Sequence, residues 1–296
     1  MNHEEFESKY AQYLKIVEDC MESRAIELLP KSSKVGEAAR YSLFSGGKRI
    51  RAILVLAVCD MLGGDFHAAA DLAVAVEMLH CYSLIHDDLP CMDNDDFRRG
   101  KPSCHKAFGE ATALLAGDAL QAAAFELITR APLSATARLG AVRELSMGAG
   151  DRGMVLGQEL DLVYESQAAT ESQLRKVHMR KTGSLINAAV QMGAWAANAL
   201  QEEHFVLETY AFNIGLVFQI VDDVLDATAT TEELGKPAGS DSSNGKTTYI
   251  TLYAAKGAME NARALNQSAC DTLRAKFGEK ADFLVELANG LLVRRK

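Results

Sequence analysis

Residues 71–96 read DLAVAVEMLHCYSLIHDDLPCMDNDD. Apolar Leu72, Val76, Leu79 and Leu84 recur near the three- and four-residue spacing of one helical face. Other apolar residues fill the gaps between them, so the spacing predicts a helix buried on most sides. The run ends in Asp87, Asp88, Asp93, Asp95 and Asp96, five carboxylates within ten residues. Such a cluster repels itself, and at a helix C-terminus it also opposes the macrodipole, so it costs stability unless a cation relieves it. Pro90 would clash with the carbonyl of His86 and should end or bend the helix. A bend there can bring Asp93 back beside Asp87, which a straight helix cannot do.

Working outward, the pattern repeats. The apolar stretch 214–221 leads into Asp222, Asp223 and Asp226, and Asp222 and Asp226 stand i and i+4 on one helical face. A carboxylate pair at this spacing suits a hard divalent cation. Mg²⁺ is usually held by one or two carboxylates together with water and substrate phosphates. Either cluster alone reads more readily as a solvated helix end; two of them, each closing an apolar helix, favour metal. A Ca²⁺ loop beginning at Asp93 fails, because Phe97 and Arg98 stand where an oxygen ligand and Gly are required.

Basic groups lie close by. Gly46-Gly47-Lys48-Arg49-Ile50-Arg51 opens another helical run. Glycines permit close backbone approach, a helix start has free N–H groups, and the cations add charge-assisted bonds, so the segment reads as a phosphate cradle. Arg98 and Arg99 follow the first aspartate cluster, Lys181 and Thr182 lie mid-chain, and Lys236 and Lys246 follow the second cluster. Acid and base set together suit a polyanion bridged through metal. Gly239, Gly245, Lys246 and Thr247 imitate a nucleotide-binding P-loop, but five residues intervene where four are needed and no strand precedes them. His80 lies two turns before Asp87, and is either a satisfied core histidine or a phosphate donor into the same cavity. Neither HExxH nor GxSxG occurs.

Composition sets the class. With 5 prolines against 45 alanines, breakers are few and the best helix former abounds, which predicts an all-α chain. Helices are expected near 4–29, 34–44, 48–62, 71–86, 111–130, 134–148, 171–199, 203–226, 247–265 and 267–277. No biased linker interrupts them, so residues 1–296 are read as a single domain of about ten helices. The net charge of −9 argues against a general nucleic-acid binder. No apolar run reaches the roughly 18 to 20 residues that span a bilayer, and the acidic N-terminus does not read as a signal peptide. The 6 cysteines form no CxxC pair and are read as reduced, in a cytoplasmic protein. Eight of the net negative charges equal in number the aspartates of the two clusters, so the acidity is concentrated where a metal would sit.

The sequence resembles the trans-isoprenyl diphosphate synthases, and among them the bacterial-type farnesyl diphosphate synthases or geranyltranstransferases. The resemblance covers most of the chain. It is carried by GGKRIR at 46–51, SLIHDDLPCMDNDDFRRGKP at 83–102, AGDAL at 116–120, GQELDL at 157–162, KTG at 181–183, FQIVDDVLD at 218–226, GKPAGSD at 235–241 and GKTTY at 245–249. It implies an all-α bundle around a central cavity, usually a homodimer, that joins isopentenyl diphosphate head-to-tail to an allylic diphosphate. It implies three Mg²⁺ ions, with Mn²⁺ able to take their place, held by Asp87, Asp93 and Asp222 and supported by Asp88 and Asp226. Arg98, Lys181 and Lys236 would complete the clamp on the allylic diphosphate. Thr182 and Gln219 would stand by the carbocation. Lys48, Arg51, His80 and Arg99 would grip isopentenyl diphosphate, with Lys246 among the substrate-binding residues.

Product length is expected to depend on Tyr82, five residues or about 7.5 Å back from Asp87 along the helix. An aromatic residue there resembles the floor that stops growth at C15, whereas small Ser83 leaves room. The resemblance thus implies farnesyl diphosphate, with geranyl or geranylgeranyl diphosphate as alternatives. A terpene cyclase is disfavoured, since a cyclase needs no second diphosphate site at Lys48 and Arg51. A non-catalytic subunit is disfavoured by the intact carboxylates. Ala52 and Pro237 depart from residues common in the family, without removing a charged ligand. Arg294, Arg295 and Lys296 either help close the cavity or are simply solvated, and the second is the expectation.

Overall fold

The computed structural model describes residues 1–165, 167–228 and 247–294. Lys236, Lys246, Pro237 and all of the P-loop look-alike but Thr247 therefore lie outside the described residues, as do Arg295 and Lys296.

Helix α4 (Ala70–Asp87) is the centre of the molecule. Its Leu72, Val74, Val76, Met78 and Leu79 are wholly inaccessible to solvent. Burying each such side chain is worth about 1.5–3 kcal/mol, so this one element anchors the core. It packs against α1 (His3–Leu28), α2 (Lys34–Leu43), α3 (Ile50–Met61), α6 (Glu110–Arg130) and α10 (Ser184–Ala196). α7 (Ala135–Ala149) backs α10, after the short α5 (Cys104–Phe108) has led into α6. α11 (Gln201–Thr228) lies along α12 (Tyr249–Phe277), and α13 (Asp282–Val293) packs on both. The all-α expectation holds. The exception is a hairpin of two-residue strands, β1 (Phe97–Arg98) and β2 (Lys101–Pro102), in register Phe97↔Pro102 and Arg98↔Lys101. Its turn residues Arg99 and Gly100 both have positive φ, as a type I′ turn demands.

Helix starts follow their capping chemistry. Asn2 with Glu5 and Thr170 with Gln173 form reciprocal capping boxes at α1 and at α9 (Glu171–His178).

Four expectations need correction. The expected helix 171–199 is broken by a π-helical turn over Met179–Gly183. α8 (Met154–Glu165) and α13 were not foreseen. α8 buries little beyond Met154, Gly157 and Asp161 and leaves Val155 exposed, so its apolar pattern does not mark a core face. α12 is interrupted at Ala254 rather than near residue 266, with φ 55° and ψ 165°. Finally, α6 and α11 are long and apolar enough to cross a membrane by length and composition, although no continuous run of apolar letters is. About half of each apolar window is buried inside the bundle, and α11 carries the second aspartate cluster. The six cysteines are unpaired, and Cys59, Cys81, Cys104 and Cys270 are buried.

Candidate active site

The end of α4 folds back on itself. After Asp88 the Leu89 N–H reaches the His86 carbonyl at 3.1 Å, and Pro90 stops the helix. The chain then turns so that the Asp93 N–H donates to the Asp87 carbonyl at 2.9 Å and the Asn94 N–H to Leu89 at 3.2 Å. Asn94 takes the left-handed conformation this requires, with φ 52°. Burial pushes the Asp87 carboxyl up to about 6, with Asp93 adding to the shift and Lys181 opposing it.

Asp88 departs from its expected role. It is buried, and both its oxygens accept from the Arg98 guanidinium, so its carboxylate is turned to Arg98 rather than to an open cation position. The β1–β2 hairpin presents Arg98 for this contact. Burial lowers the Arg98 pKa, but the bond to Asp88 and the charge of Asp95 outweigh it and the net shift is upward. Asp95 also meets Arg98, at 3.3 Å, while Asp96 pairs with Lys106 at the surface.

Across the cavity, α11 continues unbroken through its aspartates. Asp222 is half-buried and accepts from Arg294 at 2.7 Å. The same guanidinium donates to the Phe218 carbonyl at 2.7 Å and stacks on the Phe218 ring at 3.8 Å. Arg294 is therefore part of the site, against the expectation of a solvated terminus. Asp223 accepts from the Tyr249 N–H at 2.8 Å and faces His178 at 3.7 Å, which ties α11 to α12 and α9. Asp226 is buried and lines a side chamber of about 250 Å³ together with Asp161 and His178.

The π-helical turn sets two more groups. Lys181 forms a 2.6 Å ion pair with Asp161 of α8, and Thr182 Oγ1 donates to Gln219 Oε1 at 2.7 Å. Burial lowers the Lys181 pKa, but Asp161 and Asp87 outweigh that and hold the ammonium charged. π-turns inside helices occur frequently at functional sites, and this one rotates two adjacent side chains toward α8 and α11.

The basic loop is built by conformation. Gly46 and Gly47 have φ of 93° and 127°, and Arg49 is left-handed with φ 53°. A side chain at position 47 would overlap Arg99, whose guanidinium rests on the Gly46 carbonyl. Arg49 pairs with Glu77 of α4 at 3.5 Å, both wholly buried, and donates to the Leu43 carbonyl at 2.8 Å. Glu77 also accepts the Ala52 N–H at 3.3 Å. The start of α3 is thus partly capped by a carboxylate from another helix, which takes one of the first-turn N–H groups expected for phosphate. Arg51 and His80 line the main cavity. Burial and the surrounding arginines hold His80 well below its ordinary value, so its imidazole is neutral at pH 7. Burial and Arg294 lower the exposed Lys48.

These elements enclose a cavity of about 770 Å³. Asp87, Asp93, Asp222, Arg98, Lys181 and Gln219 line it, together with Tyr82 and Ser83 of α4. Asp93, Lys181, Gln219 and Asp222 also line the side chamber, so the two spaces adjoin. Tyr82 is buried, and the Ser83 hydroxyl donates back to the His80 carbonyl at 2.8 Å.

Among the described residues no three acidic, His or Cys side chains converge into a closed metal cage. The fit to Mg²⁺, which takes few protein ligands and fills its shell from water and phosphate, rests on Asp87: burial raises its carboxyl, and a divalent cation would relieve that cost. The donor set fits the metal.

Sequence reading missed Asp161, Glu77 and Arg294. Glu77 had a signal, as a lone charge inside the apolar run 72–79. Asp161 lies in a quoted motif without an assigned partner. Arg294 stood in a basic terminus that could close the cavity, but its partners Asp222 and Phe218 depend on how α13 packs.

Residues 32–284 match the protein family described as polyprenyl synthetase. The chain is 47% identical over 266 residues to geranylgeranyl pyrophosphate synthase 3, chloroplastic, of Arabidopsis thaliana, covering 88% of this chain and 74% of that protein. It is 45% identical over 246 residues to the farnesyl diphosphate synthase of Micrococcus luteus, covering 83% and 84%. Its fold is similar to that of a geranyltransferase from Legionella pneumophila, with TM-score 0.88 and 41% identity over 99% of this chain and 98% of that one. It is also similar to a geranyltransferase from Helicobacter pylori complexed with magnesium and isoprenyl diphosphate, with TM-score 0.84 and 33% identity over 96% and 97%.

Proposed function

The chain belongs to the polyprenyl synthetase family and is a trans-isoprenyl diphosphate synthase, and from that premise we propose that its product is farnesyl diphosphate. The observation that carries this reading is Tyr82, buried in the cavity wall one and a half turns before Asp87. An aromatic ring there closes the space into which a growing chain would extend.

Asp87 and Asp93 on one side and Asp222 on the other would hold three Mg²⁺ ions, with Mn²⁺ able to replace them. Asp226 would lend its charge from the side chamber. Mg²⁺, when bound, supplies positive charge to the departing diphosphate. Lys181, kept charged by Asp161, and Arg98, kept in place by Asp88, add fixed positive charge beside it; Lys236 would join them. Ionisation breaks the allylic C–O bond, and its electron pair leaves with the diphosphate. The Thr182–Gln219 pair turns oxygen dipoles toward the resulting cation, in a cavity whose apolar wall excludes water. Lys48, Arg51, His80, Arg99 and Lys246 would hold isopentenyl diphosphate, whose double bond supplies the electrons of the new C–C bond. A proton then leaves to the released diphosphate and the alkene is restored.

Homodimerisation belongs to this reading, because Leu115 and Leu139 leave apolar side chains exposed on α6 and α7. So does a cytoplasmic location, which suits six unpaired cysteines.

The test is chain-length analysis after incubation with dimethylallyl diphosphate, isopentenyl diphosphate and Mg²⁺. C15 is expected, and Tyr82→Ala should shift product to C20. Small Ser83 favours the second reading, a C20 synthase, and a dominant C20 product from the wild type would establish it. Cyclic hydrocarbon formed without isopentenyl diphosphate would point to a cyclase, and no Mg²⁺-dependent turnover to a non-catalytic subunit.

A further inference from the structure

We propose that His86 is a positioning residue for product length, pinned to α6 so that it holds the Tyr82 ring across the floor of the cavity. The inference rests on the reading of Tyr82 as that floor.

Tyr82 and His86 are i and i+4 on α4, so their side chains lie one above the other. Their rings meet edge-on, with centroids 5.2 Å apart and planes at 87°. His86 is also held from outside α4. Its ring Nε2 lies 3.0 Å from the Leu114 carbonyl on α6, and a carbonyl only accepts, so Nε2 carries the proton. One turn further along α6, Gly117 leaves the notch that the imidazole fills. A Cβ at position 117 would overlap the Nε2, Cδ2 and Cε1 atoms of that ring. Tyr82, His86 and Leu114 all line the same cavity.

A tyrosine ring on a helix turns about two bonds, and a second ring packed edge-on against it limits the positions it can hold. Here the support is a ring on the next turn, fixed to a second helix by one hydrogen bond and one missing side chain. The height of the floor then depends on a wedge between α4 and α6 as well as on the bulk of residue 82. None of the groups assigned to diphosphate or metal takes part in the wedge, although His86 adjoins Asp87.

The experiment uses the full-length enzyme with dimethylallyl diphosphate, isopentenyl diphosphate and Mg²⁺, and reads the ratio of C10, C15 and C20 products. His86→Ala should raise C20 over C15 by about tenfold with Tyr82 intact, a discrimination of the size that small changes in apolar pockets produce. His86→Gln keeps an N–H for the Leu114 carbonyl but brings no ring to Tyr82, so it should recover part of the C15 limit lost in His86→Ala, which a general loss of packing would not allow. Gly117→Ala drives the imidazole off α6 into the cavity and should shift product toward C10. If His86→Ala does not fold, Gly117→Ala decides alone, since it leaves His86 in the chain. Wild-type ratios in both variants, beside a Tyr82→Ala enzyme that makes C20, would overturn the inference and spare Tyr82. A C15 limit that survives Tyr82→Ala would instead remove the floor itself.

Discussion

The two aspartate clusters look alike in sequence and are built differently. At the end of α4, Pro90 breaks the helix and the chain folds back, so Asp93 bonds to Asp87 through the backbone. The cation that steadies this cluster is local: Arg98 sits ten residues from Asp88. On α11 the helix continues, and the steadying groups come from far along the chain. Arg294 is 72 residues from Asp222, and Tyr249 is 26 residues from Asp223. The first cluster is organised by its own loop, whereas the second is organised by how α12 and α13 dock. A divalent cation would meet a preformed half-site at α4, and at α11 a carboxylate already shared with a guanidinium.

The largest effects should separate ligands from supports. Asp87→Asn is expected to lower kcat/KM by about 10²–10³-fold, the scale of losing one electrostatic contact to developing charge. Asp226→Asn, set back in the side chamber, should cost less. Steady-state kinetics at saturating Mg²⁺ checks both, and equal losses would erase the distinction. Next comes stability. Arg98→Ala leaves the buried Asp88 carboxylate without its partner. Breaking a buried pair from one side costs about 3–5 kcal/mol, and partial exposure of Arg98 reduces this toward about 2 kcal/mol. Chemical denaturation should show that loss, while Asp88→Asn together with Arg98→Ala should recover part of it.

The same contrast marks where sequence reading succeeded. The fold-back at Pro90 was legible because proline geometry and aspartate repulsion act within a few residues. The i, i+4 placement of Asp222 and Asp226 was legible because helical geometry alone sets it. Lys181 and Thr182 were each read as site residues, but the π-turn that carries them was not foreseen. Their partners Asp161 and Gln219 come from two other helices. Glu77 shows the limit most plainly. A lone carboxylate in an apolar helix signals a buried partner, yet only the docking of α3 shows that it serves both Arg49 and the Ala52 N–H.

A smaller effect follows from Asp87, whose carboxyl stands at about 6 because burial disfavours its charge. A carboxyl raised in the folded state makes the fold hold more protons than the unfolded chain at pH values between the two pKa values. Stability without metal therefore falls as pH rises through that window, and the cost is fully present at neutral pH. Mg²⁺ binds the ionised form and offsets the cost. The rise in Tm on adding Mg²⁺ should be slight near pH 5, grow through pH 6 and level off above pH 7. A Mg²⁺ shift independent of pH would detach Asp87 from the metal.

The smallest effect belongs to Arg294, and it tests the α11 half of the comparison. Its ion pair is with a carboxylate that keeps 43% of its side-chain surface exposed, so solvent screens the attraction and the pair should contribute under about 1 kcal/mol. Stacking on Phe218 adds a contribution of similar size. Arg294→Ala should therefore move Tm little. It removes a cation that competes with metal for Asp222, so Mn²⁺ titrated into the substrate-free enzyme and followed by electron paramagnetic resonance should bind more tightly than to the wild type. Arg98→Ala, at the preformed half-site, should show the reverse: a large fall in Tm with no tightening. If both variants tighten Mn²⁺ alike, the two clusters are steadied in one way, and the difference between a local and a distant support has no consequence for the metal.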